Sequence, residues 1–155
     1  MQLEINYTKD LADFSAAELY HAYSNKIEKE VTRAIGHPAD AALILHKFRN
    51  NKQESFWSIF LDGAHNVLLV KEISKGILNR TLVHPREVFR PGILMSAMAV
   101  IVAHNHPSGN KEPSREDDEL TVKIKKAGEI IGIPVLDHVI ISKNGYYSYL
   151  EENKL

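Results

Sequence analysis

The chain has 155 residues, enough for one ordinary domain and a short appendage. Apolar residues at 44% and charged residues at 25% are the proportions of a globular chain that buries its core without disulfides. The formal net charge of −1 argues against a dedicated non-specific DNA binder. The absence of cysteine excludes a disulfide scaffold, a thiol nucleophile and a zinc finger. A metal site would therefore be built from Asp, Glu and the eight His. No apolar run approaches the length of a membrane span, and the N-terminus lacks the basic start and apolar stretch of a signal peptide. A cytoplasmic protein is the expectation.

In chain order, Leu3, Ile5 and Tyr7 alternate with polar residues and predict a short strand or arm. Ser15 and Glu18 form a capping-box pattern that opens a helix running to about Ala34. Gly36 stops it, and Pro38 opens a second helix over about 38–50. The polar break Asn50–Gln53 divides a helical segment, residues 1–50, from the main domain, 51–155. Ser55–Leu61 reads as an aromatic-rich strand, Asp62-Gly63 as a turn and Val67–Ile73 as a second strand. Pro85 opens a helix to about Ala97, with Pro91-Gly92 inside it. Met98–Ala103 is a continuous apolar run, as for a strand covered on both faces. Residues 107–113 form a loop. Ser114 then caps a helix to Ile131, with Leu120, Ile124, Ala127 and Ile131 on one face and Gly132 at its end. Val135–Ile141 is a strand, and Asn144-Gly145 turns into a last strand, Tyr146–Leu150. The alternation predicts an α/β fold with a mixed sheet flanked by helices in three layers.

The chemistry lies after the apolar run. His104 and His106 end a strand two residues apart, so both imidazoles face one side. The carboxyl edge of a sheet is where open α/β folds place ligands. If Ser114 caps the next helix, Asp117 is its third residue, and the loop can bring that helix start beside the two His. Two imidazoles and a carboxylate leave a fourth position for water, the arrangement of a catalytic zinc. Each residue also has an ordinary structural reading: Asp117 as an acid favoured by the helix dipole, Ser114 as a cap, His104 and His106 as strand polar groups. The fixed offsets of all four favour the metal.

The pattern His104-x-His106-x7-Ser114-x2-Asp117 resembles the metal motif of the JAMM (MPN-type, JAB domain) metalloprotease superfamily. The surrounding words Ala103–Gly109, Pro113-Ser114, His84–Glu87 and Leu136–His138 resemble its RadC branch over about residues 50–150. Residues 1–50 do not match the helix-hairpin-helix segment of longer RadC proteins, and their expected roles are to cover the sheet, form a dimer contact or dock a partner. The resemblance implies a fold related to the cytidine deaminases and one zinc held by His104, His106 and Asp117. It implies Glu54 as general base for a zinc-activated water and Ser114 as a hydroxyl that stabilises an oxyanion. Glu72 and Glu87 compete with Glu54 for that role. The implied reaction is hydrolysis of a peptide or isopeptide bond. The alternative is a non-catalytic module of the same fold that binds DNA or protein, in keeping with the DNA-repair label of the family.

Asp137 and His138 supply second-sphere hydrogen bonds to a ligand or form a structural pair within their strand. Asn105 and Ser108 shape the loop. Arg86 and the Lys123, Lys125 and Lys126 cluster read as solvated surface more readily than as contacts to substrate or nucleic acid. An HNH nuclease does not fit, because that motif is spread over tens of residues. A zinc deaminase does not fit, because it needs cysteine ligands.

Overall fold

The apolar run becomes the central strand of the sheet. In the computed structural model, which describes residues 34–76 and 83–155, the described strands are β1 (Ser55–Leu61), β2 (Val67–Lys75), β3 (Ala99–Asn105), β4 (Val135–Ser142) and β5 (Gly145–Ser148). They form a five-stranded sheet in the order β2-β1-β3-β4-β5. β3 pairs antiparallel with β1 and parallel with β4, so the sheet is mixed. Both β1 and β3 are buried at every position, which explains why their sequences are largely apolar with no polar alternation. The strand and helix predicted before Ala34 lie outside the described residues.

Helices cover both faces. On one face, α1 (Pro38–Ile44) packs on β4 and β5, and the 3-10 turn His46–Phe48 stacks Phe48 on Trp57 at 4.9 Å. The helix predicted over 38–50 thus breaks after Ile44. On the other face lie α2 (Pro85–Leu94) and α3 (Arg115–Ile131). The result is the three-layer α/β arrangement. Among the described residues, no helix is long and apolar enough to cross a membrane.

Several boundaries differ from the sequence reading for identifiable reasons. α2 runs through Pro91-Gly92 and ends at Leu94, with Met95 as its C-cap. Gly92 is needed because a Cβ there would sit 2.4 Å from the Phe60 ring. β3 extends two residues past the apolar run, because His104 and Asn105 keep their ladder partners on β4. β5 stops at Ser148, where Leu150 donates instead to the Asp137 side chain. The buried stripe of α3 is Asp117, Leu120, Thr121, Ile124 and Gly128, while Ile131 is exposed. The small Gly128 admits the Phe89 ring of α2, which turns that face inward.

Alanine at Gly128 would place its Cβ 2.6 Å from the Ile133 carbonyl oxygen, a backbone atom with no freedom to yield. Helix propensity favours Ala by about 1 kcal/mol, but overpacking of this kind costs about 1–3 kcal/mol. Gly128→Ala is expected to destabilise the fold, as read by denaturant unfolding. A stabilised variant would show that α3 shifts freely on the sheet.

Candidate metal centre

His104 is the sixth residue of β3 and is fully buried. Its ring lies parallel to Phe56 of β1, its partner across the ladder, at 6.3 Å. His106 follows one residue past the strand end, anchored by its backbone N–H to the Ile141 carbonyl at 2.8 Å. Strand alternation puts both rings on the α3 face, and their Nε2 atoms lie 2.9 Å apart.

The loop between them and α3 is bonded to itself. His106 Nδ1 faces the Asn110 carbonyl at 2.8 Å, Asn110 N–H donates to Ser108 Oγ at 3.3 Å, and Asn144 Nδ2 donates to the Gly109 carbonyl at 2.9 Å. Gly109 is required there by its positive φ of 85° and by Lys143 packed against it. Ser108 therefore shapes the loop. The loop delivers Ser114 as the N-cap of α3 with a complete capping box. Ser114 Oγ accepts from Asp117 N–H at 3.1 Å, and Ser114 N–H donates to Asp117 Oδ2 at 2.7 Å. This orients Asp117 so that Oδ1 is 3.2 Å from His104 Nε2 and Oδ2 is 3.4 Å from His106 Nε2.

Glu54 arrives from the antiparallel pairing of β1 on β3. Phe56 pairs with His104, so two residues along each chain Glu54 comes beside His106, with Oε1 3.8 Å from its Nε2. Glu72 lies exposed on β2 opposite Trp57, and Glu87 pairs with Arg86 and Arg90 on the surface of α2. The segment that carries Glu54 is clamped by Asn105, whose side chain points to the opposite face of β3. Asn105 Oδ1 accepts from Ser55 N–H at 2.8 Å, and its Nδ2 donates to the Gln53 carbonyl at 3.1 Å. The amide thus holds the backbone on both sides of Glu54. Asn105 is fully buried, so this is more than loop shaping.

Among the described residues, Glu54, His104 and His106 offer ligand atoms within 4.8 Å of one another, and Asp117 touches both imidazoles. The Asn110 carbonyl can only accept, so His106 carries its proton on Nδ1 and turns a lone pair to the centre. Nitrogen lone pairs and carboxylate oxygens that converge this closely repel unless positive charge lies among them. Burial opposes charge on His106, yet Asp117, the Asn110 carbonyl and Glu54 together raise its pKa. Burial also opposes ionisation of Asp117, but its contacts with His104 and His106 hold the carboxyl well below the usual range. The site favours a cation, and its two imidazoles and carboxylate are a donor set suited to zinc. An open cleft of about 410 Å³, with Glu54, His106, Ser108 and Ser114 in its walls, leads to it.

The sequence profile of the RadC-like JAB domain matches residues 35–155. The chain belongs to this family. RadC-like relatives include a UPF0758 protein of Trichlorobacter lovleyi, 49% identical over 110 residues, which are 71% of this chain and 48% of that protein. A UPF0758 protein of Clostridium perfringens is 42% identical over 89% of this chain and 60% of its own length. One of Rubrobacter xylanophilus is 42% identical over 98% of this chain and 69% of its own length. The aligned part of the chain thus spans about half the length of the first of these curated relatives. The similarity extends beyond residues 50–150 into the N-terminal segment.

In this RadC-like domain the pair Asp137-His138 is split by the strand period. His138 faces the site, with Nε2 2.8 Å from His104 Nδ1. Asp137 faces the α1 side, accepting from Ser148 Oγ at 2.6 Å and Leu150 N–H at 3.0 Å, and its role is structural. Burial raises its pKa despite these bonds. Arg86, Lys123 and Lys126 are exposed. The sequence reading missed Thr121, whose Oγ1 is 2.6 Å from His138 Nδ1. A polar residue on the buried stripe of α3, one turn after Asp117, was the available signal.

Asn105→Ala would leave the buried Ser55 N–H without this partner, worth about 1–3 kcal/mol, and would release the part-buried Gln53 carbonyl. We expect a loss of about 1–3 kcal/mol in denaturant unfolding, and Asn105→Asp, which keeps the acceptor for Ser55 but sets a buried carboxylate oxygen against the Gln53 carbonyl, is expected to lose at least as much. An Asn105→Ala variant as stable as wild type would remove the clamp from this explanation. In the metal-free chain, His106 is expected to titrate above the ordinary His value by NMR, and Asp117→Asn to lower its midpoint. A folded pKa above the unfolded value, about 6.5, means that its stabilisation is full below that pH and fades as pH rises through the folded value. An unchanged midpoint in Asp117→Asn would contradict the assigned cause.

Proposed function

We propose that the chain is a zinc-dependent hydrolase of peptide or isopeptide bonds, with one zinc held by His104, His106 and Asp117. One observation carries this reading: His104, His106 and Asp117 converge beside an open cleft, with the Glu54 carboxylate 3.8 Å from His106. A zinc ion there would supply a Lewis acid that acidifies water near neutral pH and polarises a carbonyl oxygen.

The chain's own residues do the rest. Glu54 takes a proton from the attacking water at Oε1 and returns it to the leaving amine. The Asn105 clamp keeps that carboxylate at the edge of the cleft instead of in solvent. Ser114 serves two roles with different parts of one hydroxyl. Its lone pair caps Asp117 N–H, while its O–H donates to Asp117 Oδ2 at 2.7 Å. The O–H can swing to a developing oxyanion while the cap persists, since a hydroxyl has one donor and two acceptor positions. The substrate is a protein or peptide. The net charge of −1 gives DNA no broad electrostatic footing, so DNA association is secondary in this reading. We place the activity in the cytoplasm, which suits a chain with no cysteine.

Elemental analysis of protein purified without chelating resin is expected to find about one zinc per wild-type chain and a loss of zinc in His106→Ala. Glu54→Gln is expected to keep the metal and lower hydrolysis of peptide or isopeptide substrates by about 10²–10⁴-fold. A wild type that takes up no zinc, or a Glu54→Gln variant as active as wild type, would overturn the proposal.

A further inference from the structure

The centre is backed by a polar chain that runs behind two of its candidate ligands, Asp117 and His104. Thr121 Oγ1 lies 2.7 Å from the Asp117 carbonyl and 2.6 Å from His138 Nδ1, and His138 Nε2 lies 2.8 Å from His104 Nδ1. We propose that Thr121 and His138 are positioning residues that fix the tautomer of His104, so that its Nε2 presents a lone pair to the metal. The proposal rests on the zinc reading above.

The proton assignments follow from counting donors. A carbonyl only accepts, so the single hydroxyl proton of Thr121 goes to Asp117 O. His138 Nδ1 must then donate to the Thr121 lone pair. His138 is fully buried, with Tyr149 stacked on it at 5.1 Å and 9° and Phe56 against it edge-on at 5.7 Å. Among the described residues its two nitrogens meet Thr121 and His104, so a second proton would be a buried charge with no carboxylate partner. His138 is therefore neutral, its Nε2 is bare, and His104 Nδ1 must be the donor to it. That leaves His104 Nε2 bare, the atom 3.2 Å from Asp117 Oδ1 and 2.9 Å from His106 Nε2.

The chain starts at the carbonyl of Asp117 and ends at its carboxylate, so one residue sets both the ligand and the proton pattern behind it. Back-bonding of a helical Thr to the carbonyl four residues earlier is common and local. The contact to His138 is what carries the effect to the other ligand. Metal-bound His usually donates to a carboxylate or a backbone carbonyl. Here the acceptor is a second neutral imidazole, which adds no negative charge, so among the described residues Asp117 and Glu54 are the carboxylates placed at the centre.

The test uses the whole chain, ¹⁵N-labelled and metal-free, near neutral pH. Long-range ¹H–¹⁵N correlation spectra read which ring nitrogen bears hydrogen. The proposal requires the proton on Nδ1 of both His104 and His138 in wild type. Thr121→Val is expected to disturb that pattern and weaken zinc binding by about 10–100-fold in chelator competition. Thr121→Ser, which keeps the hydroxyl, is expected to restore both. Thermal melts of the metal-free variants establish that each is folded. A His104 protonated on Nε2 in wild type, or a folded Thr121→Val that binds zinc as tightly as wild type, overturns the relay. A wild type with the expected proton pattern that takes up no zinc supports the hydrogen-bond chain and overturns the zinc reading, so the two failures are distinct.

Discussion

The register of β1 on β3 is the constraint on which the site depends. Phe56 faces His104 across the ladder, and everything functional is counted from that pair. Two residues along each chain Glu54 meets His106. One residue along, the strand period sends Asn105 to the opposite face, where its amide secures the segment that carries Glu54. A slip of one residue would turn Glu54 to the wrong side of the sheet and send every β1 side chain into the packing of the opposite covered face. The fully buried β1 and β3 strands make such a slip costly, so core packing and site geometry are enforced by the same apolar side chains.

The second organising element is the start of α3. Its capping box satisfies helix N–H groups that would otherwise lack partners, and in doing so it aims a carboxylate at two imidazoles. Asp117 is buried, and the Ser114 N–H and O–H that donate to its Oδ2 offset part of its desolvation. The price in stability of gathering such groups is moderated by bonding nearly every polar atom: His106 to the Asn110 carbonyl, Ser114 to Asp117, His104 to His138, His138 to Thr121. A polar cluster satisfied in this way is rigid, which is what a metal site with preset ligand positions needs.

The sheet, its flanking helices and the motif residues were legible in the sequence because they rest on local rules: continuous apolar runs, turn residues and a capping box. Ser114 and Asp117 could be placed on α3 from the cap alone. What local rules could not supply was pairing across the sheet. Glu54 stood apart from Glu72 and Glu87 only by resemblance, since the register that brings it to His106 is a long-range fact. Asp137 and His138 could not be separated without knowing which face of β4 meets α3. Thr121 was hidden because helix periodicity put Ala127 and Ile131 on the buried stripe, whereas Gly128 and its contact with Phe89 rotate that face toward Thr121. The break of the 38–50 helix after Ile44 follows from the packing of Phe48 on Trp57, again a contact distant in sequence.

The most direct measurement is X-ray absorption at the zinc edge of the zinc-loaded chain. If the convergence seen here is a metal centre, the first shell contains two imidazole nitrogens at about 2.0–2.1 Å, with the remaining positions filled by oxygen. The zinc held in this shell should be lost from His104→Ala and from His106→Ala. A shell of oxygens alone, or one that neither substitution alters, would contradict the assignment of this cluster as the place where the metal is held.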